Sequence, residues 1–325
     1  MNTKTAFRRT LPAIGMATAL SLTLVGTAAG QTKLPPVNPA QVSGNINTGG
    51  SSTVYPLSVA IVENFKKDGF KGEVNVDLIG SGAGIQRFCR GEYDVANASR
   101  AMTQSEVDTC RPAGGGKPIQ FQVAIDALTI VVNPKNTWVR NLNNSQVALI
   151  FSGQAKTWRD VDRRWPDQPI RLYSPGTDSG TYDYFVEQVF RNLPTMQQRR
   201  SVIPQVPGVQ LSEDDNVLVA GVASDINAIG YFGYAYYEEE KSKLKAVNYE
   251  GVAPSAATVA NGRYKFARPL FIISSAPILK SKPQVAAYVN YYLTNVDKVV
   301  RRVGYFPAPA SALEKARKDF LAAVQ

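Results

Sequence analysis

Along this chain, short apolar runs alternate with stretches of helical apolar spacing, and glycines and hydroxyl residues separate the two. Residues 73–80 (EVNVDLIG) alternate apolar and polar positions and predict a strand, while 58–68 (SVAIVENFKKD) space their apolar positions as a helix does. Residues 121–134 (FQVAIDALTIVVNP) form a long β-rich run closed by Asn133-Pro134. Two further strands are predicted over 169–174 (PIRLYS) and 267–274 (ARPLFIIS), and two helices over 215–224 (DNVLVAGVAS) and 285–295 (VAAYVNYYLTN). Strands alternating with helices predict an α/β fold with mainly parallel sheets. The chain shows no internal repeat.

The first residues follow a different pattern. Lys4, Arg8 and Arg9 precede an apolar stretch over 11–25 that is too short to span a bilayer comfortably, and Thr27-Ala28-Ala29 supplies small residues suited to cleavage. Residues 1–29 therefore read as an export signal, with the Arg8-Arg9 pair leaving the twin-arginine route open beside the general one. There is no cysteine near the cleavage point, so no lipid anchor is expected. Cleavage would leave 296 of the 325 residues. That exceeds the size at which a single core keeps growing, and two lobes are expected. The runs 121–134 and 267–274 are candidates for strands crossing between them. The expected organisation is a loose leader over 30–43, one lobe from 44–127 with 267–325, and a second from 128–266.

Charge and composition narrow the function. The net charge of +10 falls to +7 once Lys4, Arg8 and Arg9 leave with the signal. The basic pairs Arg163-Arg164, Arg199-Arg200 and Arg301-Arg302 are scattered, which argues against nucleic acid and suits a mild positive field that attracts small anions. Histidine is absent, so no Ser-His-Asp or Cys-His arrangement exists, and no metal site is expected. The single S-x-x-K, Ser242 to Lys245, sits in the charged run EEEKSKLK and reads as a solvated face. Cys89 and Cys110 are expected to close one disulfide in an oxidising compartment, worth ~3 kcal/mol, with two free thiols as the alternative.

Three segments share one design: 49–61 (GGSSTVYPLSVAI), 80–91 (GSGAGIQRFCRG) and 173–185 (YSPGTDSGTYDYF). In each, a strand or coil leads through a Gly/Ser/Thr turn into a helix start. The first N–H groups of a helix lack internal partners and its dipole favours negative charge, so such turns can hold an oxyanion. One such turn is commonly only a helix cap. Three in one exported α/β chain point to a shared anion.

The segments GSSTVYP, IGSGAGIQRF, DVANASRAM, AIDALTIVVNP, GTDSGTYDYF, IGYFGYAYY and RPLFI, in this order, resemble the phosphate-binding proteins of ABC transporters, the PstS family with its SphX-like branch. The likeness runs from about residue 44 to 306, and GTDSGT is its most specific element. It implies a two-lobed periplasmic binding protein of type II, with two mainly parallel-stranded domains joined by crossing hinge strands. It also implies inorganic phosphate as ligand, a membrane ABC permease as partner, a monomer, no cofactor and no catalysis. Carried over by position, the ligand set is Ser52, Thr53 and Val54 from the first loop, Ser81 from the second, and Ser179, Gly180 and Thr181 from the third. Two positions depart from the family pattern. Arg100 stands where many members carry an Asp that accepts the phosphate proton, and SPGT stands where they carry an Arg. We read this as an exchange, with the guanidinium coming from Arg100 and Asp178 as the candidate proton acceptor; the plainer readings are a surface ion pair for Arg100 and a helix N-cap for Asp178.

The plainer features have plainer readings. The aromatic run YFGYAYY (231–237) reads as β-core with an interlobe lining, Asp126 as support for the site or an ordinary strand-end carboxylate, and Trp138, Trp158 and Trp165 carry no functional signal. The alternatives are the same fold with sulfate or another oxyanion, and a phosphatase using Ser179 or Thr181.

Overall fold

The computed structural model describes Met1 and residues 32–325, apart from 113, 178 and 213. The expected signal over 1–29 thus falls, beyond Met1, outside the described residues, and so does Asp178. Among the described residues, no helix is long and apolar enough to cross a membrane.

The first lobe begins with β1 (Ile46–Gly50), α1 (Tyr55–Lys67), β2 (Val74–Leu78), α2 (Ser81–Cys89), β3 (Val95–Ala98) and α3 (Gln104–Thr109). In α1, Pro56 occupies the first turn, where its missing N–H costs nothing, and Lys66 and Lys67 face the negative dipole end. Leu57, Ile61, Val62 and Phe65 recur at helical spacing and are buried. β1 pairs in parallel with β2 and β3, and the strand Ala267–Ser275 adds antiparallel to β3. The helix Pro283–Val299 covers this sheet beside α1.

β4 (Pro118–Val132) carries the chain from one lobe to the other. Every residue from Val123 to Val132 is buried, as expected of a strand covered on both faces. Its first part pairs antiparallel with Ala267–Ser275, and Leu128–Val132 pair antiparallel with the strand Ala228–Gly233. That strand continues in parallel into Arg171–Pro175, which pairs with Gln210–Ser212. Each half-sheet is thus mixed: three strands run parallel, and the pairings at β4 and Ala267–Ser275 are antiparallel. The long runs at 121–134 and 267–274 were expected to cross between lobes. β4 does so along its length, while the second passage lies just before Ala267, where Leu128 N donates to Phe266 O.

Burial divides at the same places. One core takes Ile46 through Ala124 and Leu270 through Ala323, and two others take their residues between Ile125 and Phe266. The register between β4 and its partner slips at Leu270/Phe271, a bulge that bends the sheet beside the passage.

Two expectations change. Residues 32–43 are not a loose leader: Leu34, Val37 and Val42 pack on the first core, Asn290 Nδ2 donates to Pro35 O at 3.0 Å, and Thr32 N donates to Glu314 at 2.9 Å. Three apolar side chains in a proline-rich stretch suffice to bind it to an apolar helix face. YFGYAYY is only half β, because the strand ends at Gly233 and Tyr234–Glu240 is helical. Trp138, Trp158 and Trp165 form an edge-to-face cluster with centroids 6.2 and 6.0 Å apart. Cys89 and Cys110 are joined in a disulfide with Cα atoms 4.7 Å apart, tying the end of α2 to the end of α3.

Candidate anion-binding site

The loops at 49–54 and 80–82 are brought together by close backbone packing. A Cβ on Gly84, in the first turns of α2, would lie 2.5 Å from Gly50 Cα, so only glycine lets α2 sit this tightly over the end of β1. Gly80 precedes the helix with φ of 86°, a left-handed conformation that glycine adopts without strain. Ser81 Oγ then accepts from Ser99 N at 3.0 Å and lies 3.1 Å from Ser99 Oγ, joining the second loop to the end of β3.

A cavity of about 410 Å³ opens between the starts of these two helices. Ser52, Thr53, Ser81, Gly82, Ser99 and Arg268 line it from the first lobe and the passage between lobes, and Asp183, Glu187, Arg199 and Arg200 line it from the second. The third loop meets it across one contact. A Cβ on Gly180 would lie 2.6 Å from Thr53 Oγ1 and 2.8 Å from Thr53 N, so the start of the helix Gly180–Val189 rests directly on the first loop. On the far side of that contact, Ser179, Gly180 and Thr181 line a neighbouring cavity of about 560 Å³, which shares Ser52 with the first.

Several expected ligands have other engagements. Val54 N–H donates to Ser51 Oγ of its own loop at 3.3 Å, and its side chain is buried in the first core. Ser179 Oγ caps its own helix, accepting from Thr181 N at 3.1 Å and Tyr182 N at 3.4 Å. Arg100 lines the cavity, but its fork grips Glu106, with both Nη atoms 2.8 Å from the carboxylate oxygens. Glu106 is fixed by the capping box it forms with Thr103 at the start of α3. The Arg100 hydrogen bonds, followed by the Thr103 backbone, draw the Glu106 carboxyl down to about 2.

Another guanidinium, which the sequence reading did not name, also lines the cavity: Arg268, in the RPLFI segment just past the second passage between lobes. Its side chain is 9% exposed, against 38% for Arg100. Nε donates to Asp126 Oδ2 at 3.2 Å, and the guanidinium stacks 4.0 Å from the centroid of the Tyr184 ring. Nη1 donates to Ser99 Oγ at 3.3 Å and Nη2 to Gly180 O at 2.9 Å, and Nη2 also donates to Thr53 Oγ1. Asp126 is 1% exposed. Burial pushes its carboxyl up from the usual range, while the Arg268 charge opposes the shift. A buried carboxylate beside a buried guanidinium persists only as a pair, since either one alone would face a large desolvation cost. Tyr305 OH donates to Thr53 O at 2.8 Å and completes the frame behind the first loop. Acceptors and donors from both lobes and from the passage between them therefore meet within one guanidinium's reach. Among the described residues, this places a buried guanidinium and neutral hydrogen-bonding groups on one small cavity.

Two lobes on one hinge, with a polar cleft between them, define a ligand-binding protein, and the sequence agrees: the model of the PBP superfamily domain matches residues 35–296. Protein SphX of Synechococcus elongatus is 42% identical over 91% of this chain and 88% of its own length. The phosphate-binding protein PstS of Staphylococcus epidermidis is 34% identical over 86% of this chain and 85% of its own. The crystal structure of a possible phosphate binding protein from Planctomyces limnophilus superposes with a TM-score of 0.80 at 36% identity, covering 87% of this chain and all of that one. The chain belongs to the PBP superfamily, in the family that holds SphX and PstS.

Proposed function

We propose that this protein binds inorganic phosphate between its lobes, outside the cytoplasm, and hands it to a membrane ABC permease as a monomer without covalent chemistry. The observation that carries the reading is the meeting of the three Gly/Ser/Thr loops, from both lobes, around the buried Arg268 guanidinium. The relatives named as phosphate-binding proteins support the choice of ligand. In this reading Ser52, Thr53 and Ser81 donate from the first lobe (44–127 and 267–325), and Ser179, Gly180 and Thr181 from the second (128–266). Arg100, held by Glu106, adds positive field from the cavity wall. The Gly180–Thr53 contact makes closure and binding one event: an anion entering here touches both lobes, so its affinity draws them together.

Phosphatase chemistry finds less support. The Ser179 hydroxyl caps a helix, and no histidine is available to activate it. Calorimetric titration with phosphate, repeated with sulfate, tests the reading. Saturable phosphate binding with sulfate at least tenfold weaker is expected. Absence of phosphate binding would remove it, and equal affinity for both ions would reassign the ligand to oxyanions in general.

A further inference from the structure

We infer that Arg268, and not Arg100, supplies the guanidinium that grips the bound anion, an assignment that rests on the cleft being a phosphate site. Arg268 bonds directly to the first and third loops and reaches the second through Ser99. Nη2 donates to Thr53 in the first and to Gly180 O in the third, while Nη1 donates to Ser99 Oγ, which lies 3.1 Å from Ser81 Oγ of the second. Its two Nη groups therefore point at the place where the loops meet, and neutral acceptors occupy the positions that phosphate oxygens would take.

The remaining contacts fix that aim. Asp126 holds Nε from behind, and the guanidinium carbon lies 4.0 Å from the Tyr184 ring centroid, so the fork cannot turn away without breaking a buried pair and a cation–π contact. Arg100 has a different arrangement: both its Nη atoms bond the charged Glu106 carboxylate, Nη1 also donates to Ala101 O, and it is the more exposed of the two. Glu187 stands 3.9 Å from Arg268 Nη1, close enough to repel an anion that arrives without a proton. Binding exchanges the neutral acceptors of Nη2 (the Gly180 carbonyl and the Thr53 hydroxyl) and of Nη1 (the Ser99 hydroxyl) for charged oxygens on a donor pair already in place. No reorientation of the guanidinium is needed.

The test is phosphate calorimetry on the purified protein and three variants, with melting temperature recorded with and without phosphate. The double variant Arg268→Met with Asp126→Asn removes both charges, so no carboxylate is stranded. It is expected to keep its unliganded melting temperature within a few degrees, to lose the phosphate-dependent rise, and to bind at least about 100-fold more weakly, since two charged hydrogen bonds go. Arg268→Lys keeps the charge beside Asp126 but cannot present two parallel donors, and is expected to bind about tenfold more weakly. Arg100→Ala is expected to lose less than tenfold. Binding by the double variant, or by Arg268→Lys should the double variant not fold, within threefold of wild type would overturn the assignment while leaving the phosphate site standing. A larger loss in Arg100→Ala than in Arg268→Lys would overturn it too. Failure of the wild type to bind phosphate would bring down both.

Discussion

Arg100 and Arg268 stand on the same cavity and differ in everything that decides what a guanidinium can do. Arg100 sits on an accessible loop, and its partner Glu106 comes from six residues along the chain. Arg268 is buried, and its partners come from residues 53, 99, 126 and 180. A local pair on the surface contributes little and can exchange with water. A buried guanidinium with partners from both lobes is costly to place and costly to disturb. The lesson is that a charged residue's neighbours in sequence say where it sits, while its neighbours in space say what it is for.

The comparison can be broken most forcefully at Asp126. Asp126→Ala leaves the Arg268 charge buried without its counter-ion and is expected to cost about 3–5 kcal/mol of stability in urea unfolding. A loss below about 1 kcal/mol would mean that the pair is solvated and the contrast with Arg100 false. Reducing the Cys89–Cys110 disulfide acts on the other side of the comparison, because α3, which carries Glu106, ends at Cys110. Reduction is expected to remove about 3 kcal/mol of stability and to leave phosphate affinity within a few fold. A collapse of affinity on reduction would show that the Arg100 side of the cavity holds the ligand after all.

Gly180 offers a sharper instrument. An added Cβ meets Thr53 Oγ1 and Thr53 N at less than 3 Å, so Gly180→Ala pushes apart the two surfaces that must meet on closure. Overpacking of this kind costs about 1–3 kcal/mol, and here it should appear in phosphate affinity with stability nearly unchanged. An unaltered affinity would mean that the lobes close elsewhere.

The smallest effect is acid dependence. Glu106 has a carboxyl drawn down to about 2 in the folded protein, below the ~4.3 of an unperturbed glutamate. Its contribution is present above the unfolded value and is lost as pH falls toward the folded one, so it disappears between roughly pH 4.5 and 2. Glu106 is partly exposed, which limits the gain to about 1–2 kcal/mol. Glu106→Gln should flatten the unfolding profile over that window and leave Arg268-dependent binding in place. An identical acid limb in wild type and variant would remove the pair as a source of stability.

The architecture was legible because its signals are local. A strand covered on both faces, such as β4, spells a continuous apolar run, and a helix that begins after Gly-Ser-Thr spells its own start. The three loops could be read for that reason, and the structure brings Thr53 and Gly180 into direct contact. Arg268 could not be read from the sequence. It lies in a strand otherwise apolar around it, and its meaning comes from four segments that meet only after folding. The partner of Arg100 was within reach of the sequence: Thr103-Gln104-Ser105-Glu106 spells a capping box that places an acid in the first turn of α3. Residues 32–43 misled through composition, since prolines suggest a loose chain while Leu34, Val37 and Val42 give it a core to bind.

A crystal structure of the phosphate complex tests the central claim most directly. The account predicts one phosphate between the lobes, with oxygens about 2.7–3.2 Å from both Nη atoms of Arg268 and from backbone amides of the 52–53 and 180–181 segments. A phosphate resting on one lobe alone, with Arg268 still bonded to the Gly180 carbonyl, would contradict it.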